Sequence, residues 1–242
     1  MITVLITGAS SGLGAALAEQ YLVRGDRVIA CGRNAEALAA LRKRHGDRVD
    51  VRSFDITDRA DVAYALRDLP AIDIAILNAG TCEYLDVEDF DAALIERVFA
   101  ANFLGTVYCT EALLPHLGAG ARLVFVDSLA RLLPFTRSQA YGASKAALHY
   151  FARTMEVDLA DRDLRVLTVS PGFIDTPLTR RNTFSMPMLI SPEQAAAGIL
   201  RGIARGRRNI YVPWGFAAIL RLLGALPECM QVWLAGKMKG PQ

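Results

Sequence analysis

Apolar residues recur along this chain in two alternating rhythms. Residues 2–7 (Ile-Thr-Val-Leu-Ile-Thr) are β-branched, of strand length and almost without polar interruption. That pattern predicts a strand buried on both faces of a parallel sheet. A glycine turn follows, then an alanine-rich helix over 15–24. The rhythm repeats, predicting strands over 27–31, 47–54, 72–77, 121–127, 164–170 and 209–213. Helical stretches separate them over 35–44, 87–100, 102–117 and from Tyr141 to about Leu159, with Thr57 or Asp58 capping a further helix. Strand and helix in alternation imply an α/β fold, a doubly wound parallel sheet of about seven strands with helices on both faces. No linker, charge run or low-complexity tract interrupts the pattern, so residues 1–242 read as one domain.

The turn after the first strand is Gly8-Ala-Ser-Ser-Gly12-Leu-Gly14. Strand, glycine turn and helix is the context that makes a glycine motif meaningful and marks the sheet as Rossmann-type. The glycines let backbone approach a pyrophosphate, and the helix N-terminus offers free N–H groups and a positive dipole. The plain alternative is a tight turn with small residues for helix packing. Gly8-Ala9-Ser10-Ser11-Gly12 also satisfies G-x-S-x-G, the serine hydrolase elbow. A hydrolase needs a downstream acid and then a histidine, and only His45, His116 and His149 exist. His149 falls inside the Tyr141 helix, so the match reads as coincidence.

At the tip of the second strand, where an acidic residue would accept from the ribose 2′-OH of NAD, stand Gly32 and Arg33. An arginine there accommodates the 2′-phosphate, so NADP(H) is favoured over NAD. Asp55, past the third strand, is placed against the adenine. Asn78-Ala79-Gly80 closes the fourth strand with small residues where a ligand can approach. Asn102 sits at the junction of two helical stretches and reads locally as a cap or kink. Tyr141 and Lys145, four apart on a helix, share one face. An ammonium beside a phenol favours the phenolate, so the expected effect is a lowered tyrosine pKa and acid–base chemistry near neutral pH.

Charge and composition remove other classes. The chain is 52% apolar and carries 27 basic against 25 acidic side chains, a net charge of +2. That balance gives no reason to expect a nucleic acid or polyanionic partner. Cys31, Cys82, Cys109 and Cys229 are far apart and near no histidine cluster. They read as buried thiols of a reducing, cytoplasmic compartment, with neither disulfides nor a metal site. Only Met1 precedes the first strand, and no signal peptide is expected.

Together these motifs resemble the short-chain dehydrogenase/reductase family over residues 2 to about 212, in its branch with the Thr-Gly-x3-Gly-x-Gly fingerprint. Thr7-Gly8-Ala-Ser-Ser-Gly12-Leu-Gly14 matches that fingerprint, Asn78-Ala79-Gly80 the strand-four motif, and Pro171-Gly172 with Thr176 the segment covering the nicotinamide. Asn102, Ser128, Tyr141 and Lys145 match the four catalytic positions, Ser128 standing thirteen residues before Tyr141. The resemblance implies that Ser128 and Tyr141 meet the substrate oxygen, that Lys145 binds the nicotinamide ribose and lowers the tyrosine pKa, and that Asn102 positions a water. It implies cofactor contacts at Gly8, Ser10, Ser11, Gly12, Leu13, Gly14, Arg33, Asn34, Asp55, Ile56, Asn78, Ala79, Gly80, Tyr141, Lys145, Pro171, Gly172, Ile174 and Thr176. Two positions depart from the family pattern: Asp127 replaces a small hydroxyl residue, and Arg131 a glycine.

The resemblance makes residues 177–190 a substrate lid. Phe173, Phe184, Met186, Met188 and Leu189 could line an apolar pocket there, Phe173, Phe184 and Met186 being the substrate contacts expected beside Ser128 and Tyr141. Arg180 and Arg181 could meet an anionic substrate tail, although solvated arginines are the commoner case. An apolar helical extension over 213–240 follows the last strand. Its twelve uncharged residues between Arg208 and Arg221 are too few to cross a bilayer. It reads as a cover over the pocket or a subunit contact, with the membrane surface less favoured because its cationic face is sparse. The family pairs through the helices holding Asn102 and Tyr141, so a homodimer is expected, with a tetramer the alternative. The expected function is NADP(H)-dependent interconversion of a carbonyl and an alcohol on a hydrophobic substrate. The alternative is a non-catalytic NADP(H)-binding regulator or redox sensor of the same fold.

Overall fold

A computed structural model describes residues 1–182 and 184–237. Thr183 in the expected lid and the last residues of the expected extension lie outside that range. Seven parallel strands form one sheet in the order β3-β2-β1-β4-β5-β6-β7. In chain order the elements are β1 (Thr3–Thr7), α1 (Gly12–Val23), β2 (Arg27–Gly32), α2 (Ala35–His45), β3 (Val49–Ser53), α3 (Arg59–Ala65) and β4 (Ile72–Leu77). Then come α4 (Ala92–Phe99), α5 (Gly105–Leu113), β5 (Leu117–Val126), α6 (Gln139–Asp158), β6 (Arg165–Pro171), α7 (Pro192–Ala204) and β7 (Asn209–Val212). Helices α8 (Trp214–Gly224) and α9 (Glu228–Lys237) complete the described chain.

The unbroken apolar runs are strands covered on both faces. Val4 and Ile6 point to the layer of α1, α2 and α7, joining Leu17, Leu38 and Ile199. Leu5 points the other way, into the layer of α3, α5 and α6 with Val62, Leu113 and Leu148. Strand order reverses between β1 and β4, and the crevice at their carboxyl ends is where a doubly wound sheet takes its ligand.

Local chemistry sets the helix ends. Asp58, not Thr57, caps α3, accepting from the N–H groups of Ala60 and Asp61. Ser191 and Gln194 form a reciprocal capping box on α7. Helix α4 starts at Ala92, later than the predicted residue 87, because Asp91 accepts from the Ala93 N–H and fixes the start there. Strand β5 begins at Leu117 rather than 121, since Gly118 and Gly120 hide the apolar signal while backbone pairing to Ile72 continues. Asn102 does not cap a helix: α4 and α5 run together through a π turn at Ala100–Leu104, which contains it.

A third, smaller apolar cluster lies beyond the sheet. Ala217 and Leu220 of α8 bury themselves against Leu129 and Leu133 of the segment after β5, with Phe216, Tyr211 and Phe135 packed around them. Helix α8 therefore packs over the segment that follows β5, beyond the carboxyl end of the sheet.

Candidate active site

The crevice between β1 and β4 is built to take a pyrophosphate. Gly8 and Gly12 hold φ of +71° and +52°, backbone that side chains rarely adopt. A Cβ on Gly14 would stand 2.1 Å from the Gly8 carbonyl oxygen. Ser11 makes no side-chain cap on α1, so the first N–H groups of that helix face the crevice without a side-chain acceptor. Thr7 ties the two strand tips together: its Oγ1 accepts from the N–H groups of Asn78 and Ala79 at 2.9 and 3.0 Å. Asn78 Nδ2 donates back to the Thr7 carbonyl at 3.0 Å. Leu13 is core, so backbone is what it can offer a ligand.

The tips of β2 and β3 come together at the far end of the crevice. Arg33 is 77% exposed, and its Nη1 lies 3.7 Å from Asp55 Oδ2. Asp55 also accepts from the N–H and hydroxyl of Thr57. Those bonds, led by the backbone N–H, and the Arg33 charge hold its carboxyl below the usual range. The Asn34 side chain is committed elsewhere, accepting from Ala37 N–H at 3.0 Å as the cap of α2. Ile56 packs on the core beneath Gly105. The Ser10 hydroxyl stands over Gly32. Among the described residues no hydrogen bond joins Ser10 to a histidine: His45 bonds Glu19 and His149 bonds Asp127. The hydrolase arrangement is thus not assembled.

At the near end Gly80 leads into the proton-bearing groups. A Cβ there would meet Asn102 Oδ1 at 2.7 Å and Lys145 Nζ at 3.5 Å. Asn102 is buried; its Oδ1 accepts from Thr81 N–H at 2.7 Å, and its Nδ2 donates to the Thr81 carbonyl and to Ser144 Oγ. Lys145 Nζ donates to the Val126 carbonyl at 2.9 Å and lies 5.9 Å from the centre of the Tyr141 ring. Ser128, two residues past β5, has extended backbone and opens a short turn, its Oγ accepting from Ala130 N–H at 3.1 Å.

The electrostatics correct one expectation. Tyr141 is raised, not lowered: burial dominates, the Cys82 thiol and Asp127 add to it, and the Ser128 hydroxyl opposes it. Burial acts on Lys145 too, bringing it down to about 8 against the pull of Asp127 and Cys82. A four-residue spacing shows that the two groups share a helix face; it does not show how dry that face is.

On the substrate side, Phe173 packs edge-on against Phe184 and tilted against Phe216, and Phe184 meets Tyr84 edge-on at 5.5 Å. Asn182 joins them, accepting from Tyr84 Oη at 2.9 Å and donating to Met186 Sδ. Ile174 is buried and bridges to Ile190, and Thr176 lies against Gly12. The Gly172 N–H bonds the Val212 carbonyl, continuing from Pro171, the last residue of β6. Phe184, Met188 and Leu189 are all exposed to a similar degree, at 46%, 49% and 43%, and the Met188 Cε lies against Gly215 at the start of α8. Arg180 is held by Asp175 at 2.8 Å. The sequence reading missed Cys82, Tyr84, Asn182 and Phe216. No local pattern marks them; they reach the site only because distant segments fold onto it.

The cysteine reading also changes. Cys31 and Cys109 are buried thiols, the latter pushed up to about 12 by burial, but Cys82 is half-buried and Cys229 exposed on the first turn of α9. Among the described residues no group of three or more His, Cys, Asp or Glu is placed to hold a metal ion.

A dinucleotide crevice opening onto adjacent Ser, Tyr and Lys side chains defines a nicotinamide-linked oxidoreductase. A family model described as short chain dehydrogenase matches residues 2–185. An uncharacterized oxidoreductase of Myxococcus xanthus is 34% identical over 235 residues, 93% of this chain and 93% of that protein. The NADP-dependent 3-hydroxy acid dehydrogenase YdfG of Salmonella typhi is 32% identical over 183 residues, 71% of this chain and 72% of that one. A short chain dehydrogenase from Burkholderia cenocepacia J2315, solved in complex with NADP, superposes with a TM-score of 0.83 at 28% identity, covering 99% of this chain and 98% of that chain. The chain belongs to the short chain dehydrogenase family and is an NAD(P)-dependent oxidoreductase.

Proposed function

We propose that this protein interconverts a carbonyl and an alcohol on a hydrophobic substrate, using NADP(H). The observation that carries the reading is the approach of Gly80, at the end of the glycine-lined crevice, to Lys145 and Asn102. It joins a nucleotide cradle to proton-transfer groups in one continuous site. The bound nicotinamide supplies the hydride in reduction and takes it in oxidation. Ser128 donates a hydrogen bond to the substrate oxygen as charge develops there. Tyr141 gives that oxygen its proton, and takes it back in the oxidative direction. Lys145 faces the ribose from α6, and Asn102 holds the Thr81 backbone that borders it. Arg33 and Asp55 meet the adenosine end, where Arg33 has the reach and exposure to pair with a 2′-phosphate. The aromatic cluster of Tyr84, Phe173, Phe184 and Phe216 supports an apolar substrate. The working form is a cytoplasmic homodimer.

The test is a fluorescence titration of NADPH and NADH on wild type and Arg33→Ala, followed by NADPH oxidation against a panel of apolar ketones and aldehydes. The expected result is NADPH preference that falls at least ten-fold in Arg33→Ala, and turnover reduced by roughly 10² or more in Tyr141→Phe with NADPH binding retained. Tight NADPH binding with no oxidation across the panel would make the protein a nucleotide-binding regulator. Equal binding of both cofactors, unchanged by Arg33→Ala, would remove the NADP assignment.

A further inference from the structure

The two departures from the family pattern meet in space. Asp127 is buried between Val126, whose carbonyl accepts from Lys145, and Ser128. Its Oδ2 accepts from Arg131 Nε at 3.1 Å and lies 2.7 Å from Nδ1 of His149, one helical turn past Lys145 on α6. The Asp127 N–H donates to the Val169 carbonyl at 2.8 Å, and its Oδ1 is buried with no hydrogen-bond partner among the described residues. A buried carboxylate of this kind is strongly unfavourable without its cation. Arg131 is nearly as buried as Asp127, and the His149 ring is the member of the trio most open to solvent.

We propose that Asp127, Arg131 and His149 are positioning residues of the reaction. The ion pair fixes the turn that carries Ser128 and sets the electrostatic potential felt by Tyr141 and Lys145. This rests on the carbonyl–alcohol reading above. The groups facing Tyr141 and Lys145 are Cys82 and Tyr84 from the loop after β4, Asp127 and Ser128 from the end of β5, and, through Asp127, Arg131 and His149. Arg131 offsets part of the Asp127 charge that Tyr141 and Lys145 feel. Removing the carboxylate alone leaves a buried cation, which makes both the phenol and the ammonium give up protons more easily. Removing the guanidinium alone leaves the carboxylate with only the His149 ring beside it and makes both hold them longer.

The opposite signs make the test. The chain's lysines are Lys43, Lys145, Lys237 and Lys239, so 13C-ε lysine NMR resolves Lys145, assigned by its loss in Lys145→Met. Its titration midpoint is expected to fall by roughly one pH unit in Asp127→Asn and to rise by a similar amount in Arg131→Gln. The double variant, with no buried charge left uncovered, is expected to return close to wild type. Arg131→Lys keeps the charge and is expected to leave the midpoint near wild type, even if Arg131→Gln fails to fold. The alkaline limb of NADPH-dependent reduction is expected to move in the same directions. Midpoints that stay fixed, or move together in both single variants, overturn the proposal whether or not the enzyme turns over. Midpoints that move as stated without turnover on any carbonyl support it and count against the proposed reaction instead.

Discussion

Lys145 shows what the site costs the fold. Its ammonium is buried with one hydrogen bond, to the Val126 carbonyl, and its pKa falls from 10.5 to about 8. Between those values the unfolded chain binds the proton and the native chain does not, so stability rises with pH across that window. Below about pH 8 the full cost of burying the charge is present. Lys145→Met removes that cost but leaves the Val126 carbonyl unmet, which offsets part of the gain. Urea unfolding is expected to show Lys145→Met more stable than wild type by about 1–2 kcal/mol at pH 7, with the margin closing or reversing by about pH 10. A margin that does not depend on pH would mean that the lysine is solvated. That Ser128, Tyr141 and Lys145 come together was legible from their spacing along the chain. The direction of the Tyr141 shift was not, since it depends on Cys82, Asp127 and the depth of burial, none of which lies in the Tyr141–Lys145 spacing.

Helix α8 is the element whose sequence said least about its place. By composition its apolar stretch favours a cover or a contact over a membrane surface, without choosing between the first two. What decides is where the partners are. Phe216 stacks on Phe173, and a Cβ on Gly172 would stand 2.8 Å from the Phe216 ring. The helix thus presses on the segment that follows β6 and forms one wall of the aromatic cluster. Phe216→Ala is expected to raise KM for apolar carbonyls roughly ten-fold, by opening that wall, while the NADPH dissociation constant changes less than about two-fold. A matching loss of NADPH affinity would mean that α8 supports the nucleotide crevice instead. The strands, by contrast, were readable to within a few residues. Burial on both faces leaves an uninterrupted apolar run, and β1 and β4 needed nothing else. Asn102 was visible as an irregularity but not as a π turn, because the reason for it, bonds to Thr81 and Ser144, comes from elsewhere in the chain.

At the scale of the whole molecule, the exposed apolar side chains offer faces that a second copy could cover. Tyr150 and Val157 on α6 are 73% and 75% exposed, while Leu148 and Ala152 of the same helix are buried against the sheet. Seven residues apart, Tyr150 and Val157 share the outer face. Leu104, in the π turn that joins α4 to α5, is exposed as well. These are the helices through which the family resemblance implies pairing, and burying such a face in a second copy fits a stable dimer. A further exposed apolar group, Trp214, Ile219 and Leu222 on α8 with Val232 and Trp233 on α9, lies on the extension past the last strand. Light scattering is expected to give twice the chain mass for wild type and a single chain mass for the Tyr150→Arg, Val157→Arg double variant. Because both residues point away from the core, thermal unfolding measured at low concentration should change little between them. A dimer that survives the two arginines, and instead dissociates on Trp214→Arg with Leu222→Arg, would move the interface from α6 to the extension.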